Sequence, residues 1–198
     1  MKDLYATLNP EQKYEVKKGV EAGLSDEKIA VYAKKEFDPL QMQVIRRGFE
    51  CHLSHSQVAM YAKPEFDSNQ MSVIRASLIR GLTPEQVAMY AKPEFDARQM
   101  TAIWSGFEEG FTPEQIEMYA KPAFSADEMF EIMQGFTDGL TQEQVALYAK
   151  PEFGFYQMLV IRESLASGLP LEKVATYAKP EFKHWQMLEK IEGFGYTI

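Results

Sequence analysis

Apolar side chains along this chain follow two rhythms. The shorter is helical: Met71, Ile74 and Leu78 stand at i, i+3 and i+7 with polar residues between them, the spacing of one buried helix face. The longer is 29 residues. The pair Gln-Met recurs at 41–42, 70–71, 99–100, 157–158 and 186–187, with Glu128-Met129 in the remaining place. Each pair opens an apolar-periodic run, so one helix of about 13 residues is predicted per period.

A second segment keeps the same beat. Tyr-Ala-Lys-Pro-Glu-Phe stands at 61–66, 90–95, 148–153 and 177–182. One-residue variants occupy 32–37, with Lys35 for the proline, and 119–124, with Ala123 for the glutamate. Self-similarity at a fixed period of this size is the signature of stacked repeats. The predicted fold is therefore all-α, an α-solenoid of two-helix repeats. Six full units cover 25–53, 54–82, 83–111, 112–140, 141–169 and 170–198, and residues 1–24 form a preceding half unit. All 198 residues are read as one continuous domain.

The polar residues between the apolar faces predict where helices start and stop. Thr83-Pro84-Glu85-Gln86 offers a capping hydroxyl, a proline at the first helical position and a glutamine placed to return the cap bond. Thr112 to Gln115 repeats the arrangement, and Thr141 to Gln144 lacks only the proline. Asp67-Ser68-Asn69-Gln70 and Asp96-Ala97-Arg98-Gln99 open the longer helices with the same device, and Gly81, Gly110, Gly139 and Gly168 close them. Gly48, Ser77, Gly106, Gly135, Ser164 and Gly193 share one position inside the long helix. Glycine there costs up to about 1 kcal/mol against alanine, so a close crossing by another helix is expected. The repeated Tyr, Phe and Met positions are expected to be buried between units, and the motif lysine to cap its helix and pair at the surface with the glutamate two residues on.

Composition adds limits. Net charge is −8 and hydrophobic residues make up 45%, enough for a sizeable core and no support for general polyanion binding. The single Cys51 excludes an internal disulfide and fits a reducing compartment. With no apolar run long enough to cross a membrane and no signal-like N-terminus, a cytoplasmic location and no membrane partner are expected.

In a repeat scaffold, recognition belongs where the units disagree. One stripe of the long helix reads Pro39, Gln43, Arg46, Glu50, then Ser68, Ser72, Arg75, Ile79, then Ala97, Thr101, Trp104, Glu108. From the fourth unit it turns apolar, with Phe130 and Met133, then Phe155 and Leu159, then Leu188 and Ile191, and with Tyr156 and Trp185 beside it. Two readings stand side by side: a widened core, or an aromatic and Met-bearing binding groove. Charge is segregated as well. Residues 1–82 hold 12 basic and 11 acidic side chains, whereas residues 83–140 hold 3 and 11. Arg46, Arg47, Arg75 and Arg80 could grip carboxylate or phosphate, or form a solvated patch paired with Glu50. The candidate partner-binding residues are Arg46, Arg47, Arg75, Arg80, Trp104, Glu108, Phe130, Met133, Phe155, Tyr156 and Trp185.

Catalytic chemistry finds little support. Cys51-His52-Leu53-Ser54-His55 is the one reactive cluster, but a structural zinc site needs four ligands and a Cys-His nucleophile needs an orienting third group. No phosphate loop, nucleophile elbow or zinc-protease motif is present. Neither an enzyme, a metal nor a cofactor is expected.

The pattern Gly-Leu-Thr-Pro-Glu-Gln-Val-x-x-Tyr-Ala-x-Pro-x-Phe-Asp-x-x-Gln-Met, clearest from Gly81 onward, resembles short helical repeats of proteins from gut Firmicutes and their phages and mobile elements. The resemblance covers nearly the whole chain. It implies the helical-repeat fold and a mobile-element setting but carries over no functional residue. Departures from it are Ser54-His55-Ser56, Gly154, Lys183 and Pro170. The expected function is non-enzymatic binding of a protein partner. By analogy, the target would be a host defence complex such as a CRISPR nuclease, which the protein would inhibit. Direct nucleic-acid binding is the alternative, with the arginines on phosphates and Trp104 stacked on a base. The last unit lacks an obvious polar cap, since Trp185, Phe194, Tyr196 and Ile198 lie near its end, so a homodimer through the C-terminal repeats is a further expectation.

Overall fold

In the computed structural model, which describes residues 7–195, the chain is all-α among those residues, with thirteen helices and no strand. Long and short helices alternate. The long ones are α1 (Pro10–Glu21), α3 (Pro39–Glu50), α5 (Ser68–Ile79), α7 (Ala97–Glu108), α9 (Ala126–Thr137), α11 (Phe155–Ala166) and α13 (His184–Gly193). Between them lie α2 (Asp26–Tyr32), α4 (His55–Ala59), α6 (Pro84–Ala88), α8 (Pro113–Tyr119), α10 (Gln142–Tyr148) and α12 (Leu171–Val174).

The capping residues act as their spacing predicts. Asp38 accepts the Gln41 amide at 2.9 Å, and Gln41 Oε1 takes the Asp38 amide in return at 2.8 Å. Asn9, Asp67 and Ser125 do the same for α1, α5 and α9, and Ser54, Thr83, Thr112 and Thr141 for α4, α6, α8 and α10. Each such cap contributes about 1 kcal/mol. Where the repeat departs, the side-chain cap is missing: Gly154 and Lys183 supply none, and Pro170 opens a helix of only four residues. The long helices close through glycine in the left-handed region. At Gly81 φ is +93°, and the Leu82 amide reaches back to the Ser77 carbonyl at 3.1 Å. His52 holds that place in its repeat at φ 63°, a conformation costly for a residue with a Cβ.

The chain divides into two compact units, 1–104 and 105–198, with the division inside α7. In the first, α1 lies against α3 and α3 against α5, and the short helices fill in beside them. Tyr32, Tyr61, Tyr90, Phe37, Phe66, Phe95, Met42, Met71 and Met100 form its interior. In the second, α9 lies against α11 and α11 against α13, around Tyr119, Tyr148, Tyr177, Phe124, Phe153, Met129, Met158 and Met187. Burying each of these large side chains is worth about 1.5–3 kcal/mol before entropy is charged against it.

Two contacts set the register between successive repeats. The first is a glutamine clamp. Gln12, Gln41 and Gln70 donate from Nε2 to the carbonyls of Phe37, Phe66 and Phe95, each at 2.7 Å, and Gln157 does so to Phe182. One amide thus closes its own helix with its oxygen and holds the next repeat with its nitrogen. Glu128, at the matching place, closes its helix onto the Ser125 amide at 2.8 Å, but an ionised carboxylate has no proton to donate onward.

The second contact explains the small residue inside the long helix, and it is not the helix crossing expected from sequence. A Cβ on Gly48 would lie 1.8 Å from the Tyr61 hydroxyl, and one on Gly19, Gly106 or Gly135 would meet Tyr32, Tyr119 or Tyr148 as closely. The crossing group is a phenol end. At Ser77, where serine replaces glycine, the hydroxyl becomes a partner: Tyr90 donates to Ser77 Oγ, which itself donates to the Ile74 carbonyl at 2.9 Å. Gly193 has nothing above it.

Candidate interaction site

One position of the long helix differs between repeats in charge as well as size: Arg46, Arg75, Trp104, Met133, Arg162 and Ile191. Helix geometry places each beside the core face, where a long side chain reaches toward the preceding repeat. At two of the six, the residue is an internally neutralised arginine. Arg46 is buried; its Nε donates to Glu15 at 3.0 Å and its Nη1 to Glu50 at 2.5 Å. Arg162 repeats the arrangement, with Nε to Glu131 at 2.8 Å and Nη1 to Asp138 at 2.6 Å. Burial works against both guanidinium charges, but the hydrogen bonds and charges of these acids outweigh it and raise both pKa values above the ordinary arginine value. Arg46 is thereby withdrawn from the partner-binding set, because its donors are committed inside the fold. Arg162, which sequence reading overlooked, is its structural twin.

Arg75 and Trp104 differ. Both are half-buried. Arg75 Nε and Trp104 Nε1 are shielded from solvent and have no hydrogen-bond partner. The exposed Arg80 guanidinium lies over the Trp104 ring at 5.5 Å, a cation–π contact. The structure thus brings Arg80 and Trp104 together, as their positions in the sequence did not reveal.

The remaining candidates fall into two groups. Arg47 and Glu108 are exposed on their helices, and Phe130, Met133 and Phe155 are half-buried. In the second unit Tyr156 is 63% exposed, Trp185 51%, and the Tyr156 ring sits 5.3 Å from Phe155 and 5.4 Å from His184. Phe155, Tyr156 and His184 border a groove with Gly154, Pro180 and Lys183. Phe194 lies exposed beneath Lys173, while Tyr196 and Ile198 lie outside the described residues.

The repeated motif itself offers little. Surface pairing of its lysine and glutamate is not formed among the described residues. The proline turns the chain between them, and the ammonium instead lies about 6 Å from its own motif's phenylalanine ring in the repeats of Lys34, Lys63 and Lys121. The Cys51 cluster does not assemble either. His55 stacks on Phe49 at 5.2 Å, Cys51 is an exposed free thiol, and no set of three His, Cys, Asp or Glu is placed for a metal among the described residues. No helix there is long and apolar enough to cross a membrane.

No family model, curated protein or solved structure matches this chain.

Proposed function

We propose that the chain is a non-enzymatic helical-repeat protein, its two-helix units stacked as an α-solenoid, that binds a protein partner through side chains differing between repeats. One observation carries this reading. The positions shared by all repeats are spent on burial and register, while one position that differs between repeats holds half-exposed Arg75 and Trp104, with unmet donors, and in other repeats the neutralised Arg46 and Arg162. A scaffold that neutralises the arginine at one end and again further along, but not in the middle, has a place where an outside group completes it. Aromatic and arginine side chains half-buried in this way are the usual anchors of protein interfaces. The acidic stretch 83–140 would speed encounter with a basic region of the partner and repel nucleic acid.

The nucleic-acid reading keeps one favourable observation, the Arg80–Trp104 stack, which resembles a base platform flanked by a cation. The two readings separate by experiment. Binding to single- and double-stranded oligonucleotides is measured by gel shift at low and moderate salt, alongside affinity capture from a nuclease-treated bacterial lysate. The protein-binding reading expects no oligonucleotide shift at low salt and a stoichiometric captured polypeptide that survives nuclease. A low-salt shift that weakens steeply with salt, with capture abolished by nuclease, would replace it with the alternative.

A further inference from the structure

Four places feed acids to the arginine of the variable row. Arg46 takes Glu15 from the preceding repeat and Glu50 one turn along its own helix. Arg162 takes Glu131, which stands where Glu15 stands, Asp138 from the end of the preceding long helix, and the neighbouring Glu163. Around Arg75 those four places hold Val44, Ile79, Cys51 and Ala76. Valine stops at its γ carbons where glutamate continues to a carboxylate, and Ile79 is itself 46% exposed. Among the described residues Arg75 forms no ion pair, and its Nε has no acceptor. A charged group's hydrogen bond is among the stronger ones available to a protein, and leaving such a donor unmet in a shielded place is costly.

We infer that Arg75 is the receptor for a carboxylate side chain, Asp or Glu, presented by the protein partner to the part of the half-buried Arg75 side chain that solvent reaches, and supplying the charge that Glu15 and Glu131 supply to Arg46 and Arg162. This rests on the protein-binding reading above. A single guanidinium with Val44 and Ile79 at the places that hold acids around Arg46 suits a monoanion carried on an apolar stem. A polyphosphate backbone would want several cations in reach. Half-buried Trp104, one repeat further on, adds ring surface against which the acidic segment lies.

The chain's two tryptophans allow a direct test. In a Trp185→Phe background the emission reports Trp104 alone. Titration with an acetylated hexaglutamate peptide is compared with hexalysine and an oligothymidylate, in the parent and in Arg75→Gln and Val44→Glu. The expected result is a saturable change with hexaglutamate only, weakened about tenfold or more in Arg75→Gln, as removal of a charge-assisted hydrogen bond implies. Val44→Glu should weaken it equally by supplying the missing carboxylate from within, without lowering the melting temperature. Arg75→Gln decides the matter alone if Val44→Glu does not fold. No saturable response to hexaglutamate, equal affinity in Arg75→Gln, or tighter binding of oligothymidylate would overturn the inference. If lysate capture still succeeds in those cases, protein binding stands and only the acidic chemistry falls. If hexaglutamate binds as expected but nothing is captured, the receptor stands and the partner reading falls.

Discussion

Replacing Tyr61 and Tyr90 by phenylalanine, one at a time, should change stability in opposite directions although the two residues occupy the same repeat position. Both are fully buried, and both aim their phenol end at the small residue of a neighbouring long helix. At Tyr61 that residue is Gly48, and the hydroxyl is buried without a hydrogen-bond partner. At Tyr90 it is Ser77, whose Oγ accepts the phenol proton. Burying an unmet hydroxyl costs about 1–3 kcal/mol. Deleting the oxygen leaves a void of about 15 Å³, which at about 24 cal/mol per Å³ returns only about 0.4 kcal/mol of that gain. Tyr61→Phe is therefore expected to stabilise by about 1 kcal/mol. Tyr90→Phe loses a made bond, worth about 1 kcal/mol, and leaves the same void, so it should destabilise by about 1.5 kcal/mol. Ser77 keeps its bond to Ile74 in either case, so no second group is orphaned. Urea unfolding followed by circular dichroism reads the difference, about 2 kcal/mol, as a midpoint shift at unchanged slope. Both residues lie in the first compact unit, so any departure from a single transition affects them alike. Equal costs at the two positions, or a greater cost at Tyr61, would refute the reasoning.

Three further outcomes follow from the same contacts. Glu128→Gln restores the donor that the other repeats use and should stabilise the second unit by about 1 kcal/mol in the same assay. His52→Gly relieves a left-handed residue; the saving of about 1–2 kcal/mol is partly offset by glycine's greater freedom in the unfolded chain, leaving a rise of about 0.5 kcal/mol. Alkaline pH should unfold the protein steeply. Burial raises the pKa of Tyr61, Tyr119 and Tyr148 well above the usual phenol value. Above about pH 10 the unfolded chain therefore loses protons that the native state keeps, and stability falls by about 1.4 kcal/mol per pH unit for each such group. The tyrosinate absorbance of these buried phenols should appear together with loss of helix rather than before it.

Much of the scaffold is legible from local spacing, because the forces that set it act within four residues. Thr83 to Gln86 and Asp67 to Gln70 cap the helices they predict, Gly81 ends one, and the Tyr, Phe and Met positions are buried. What eluded sequence reading acts between repeats. Gln70 was legible as half of a capping box, yet its amide nitrogen works 25 residues away on Phe95. The signal was there: glutamate would close the box equally well, so a recurrent glutamine points to a need for a donor. The role of Arg46 was hidden because Glu15 lies 31 residues back. The same offset joins Glu131 to Arg162, and comparing charges across consecutive repeats would have paired both. Close approach over Gly48 was anticipated, but a glycine does not disclose whether a helix or a phenol lies above it.

The central claim is that recognition resides where the repeats differ and not in the motif they share. It is tested most directly by the affinity of the captured partner for two double variants of equal stability. Lys92→Ala with Glu94→Ala alters exposed motif side chains, and Arg75→Gln with Trp104→Phe alters the variable row. Affinity unchanged in the first and reduced by about tenfold or more in the second, as loss of charged and aromatic anchors implies, is the predicted result. Affinity lost in the motif variant and kept in the variable-row variant would contradict it.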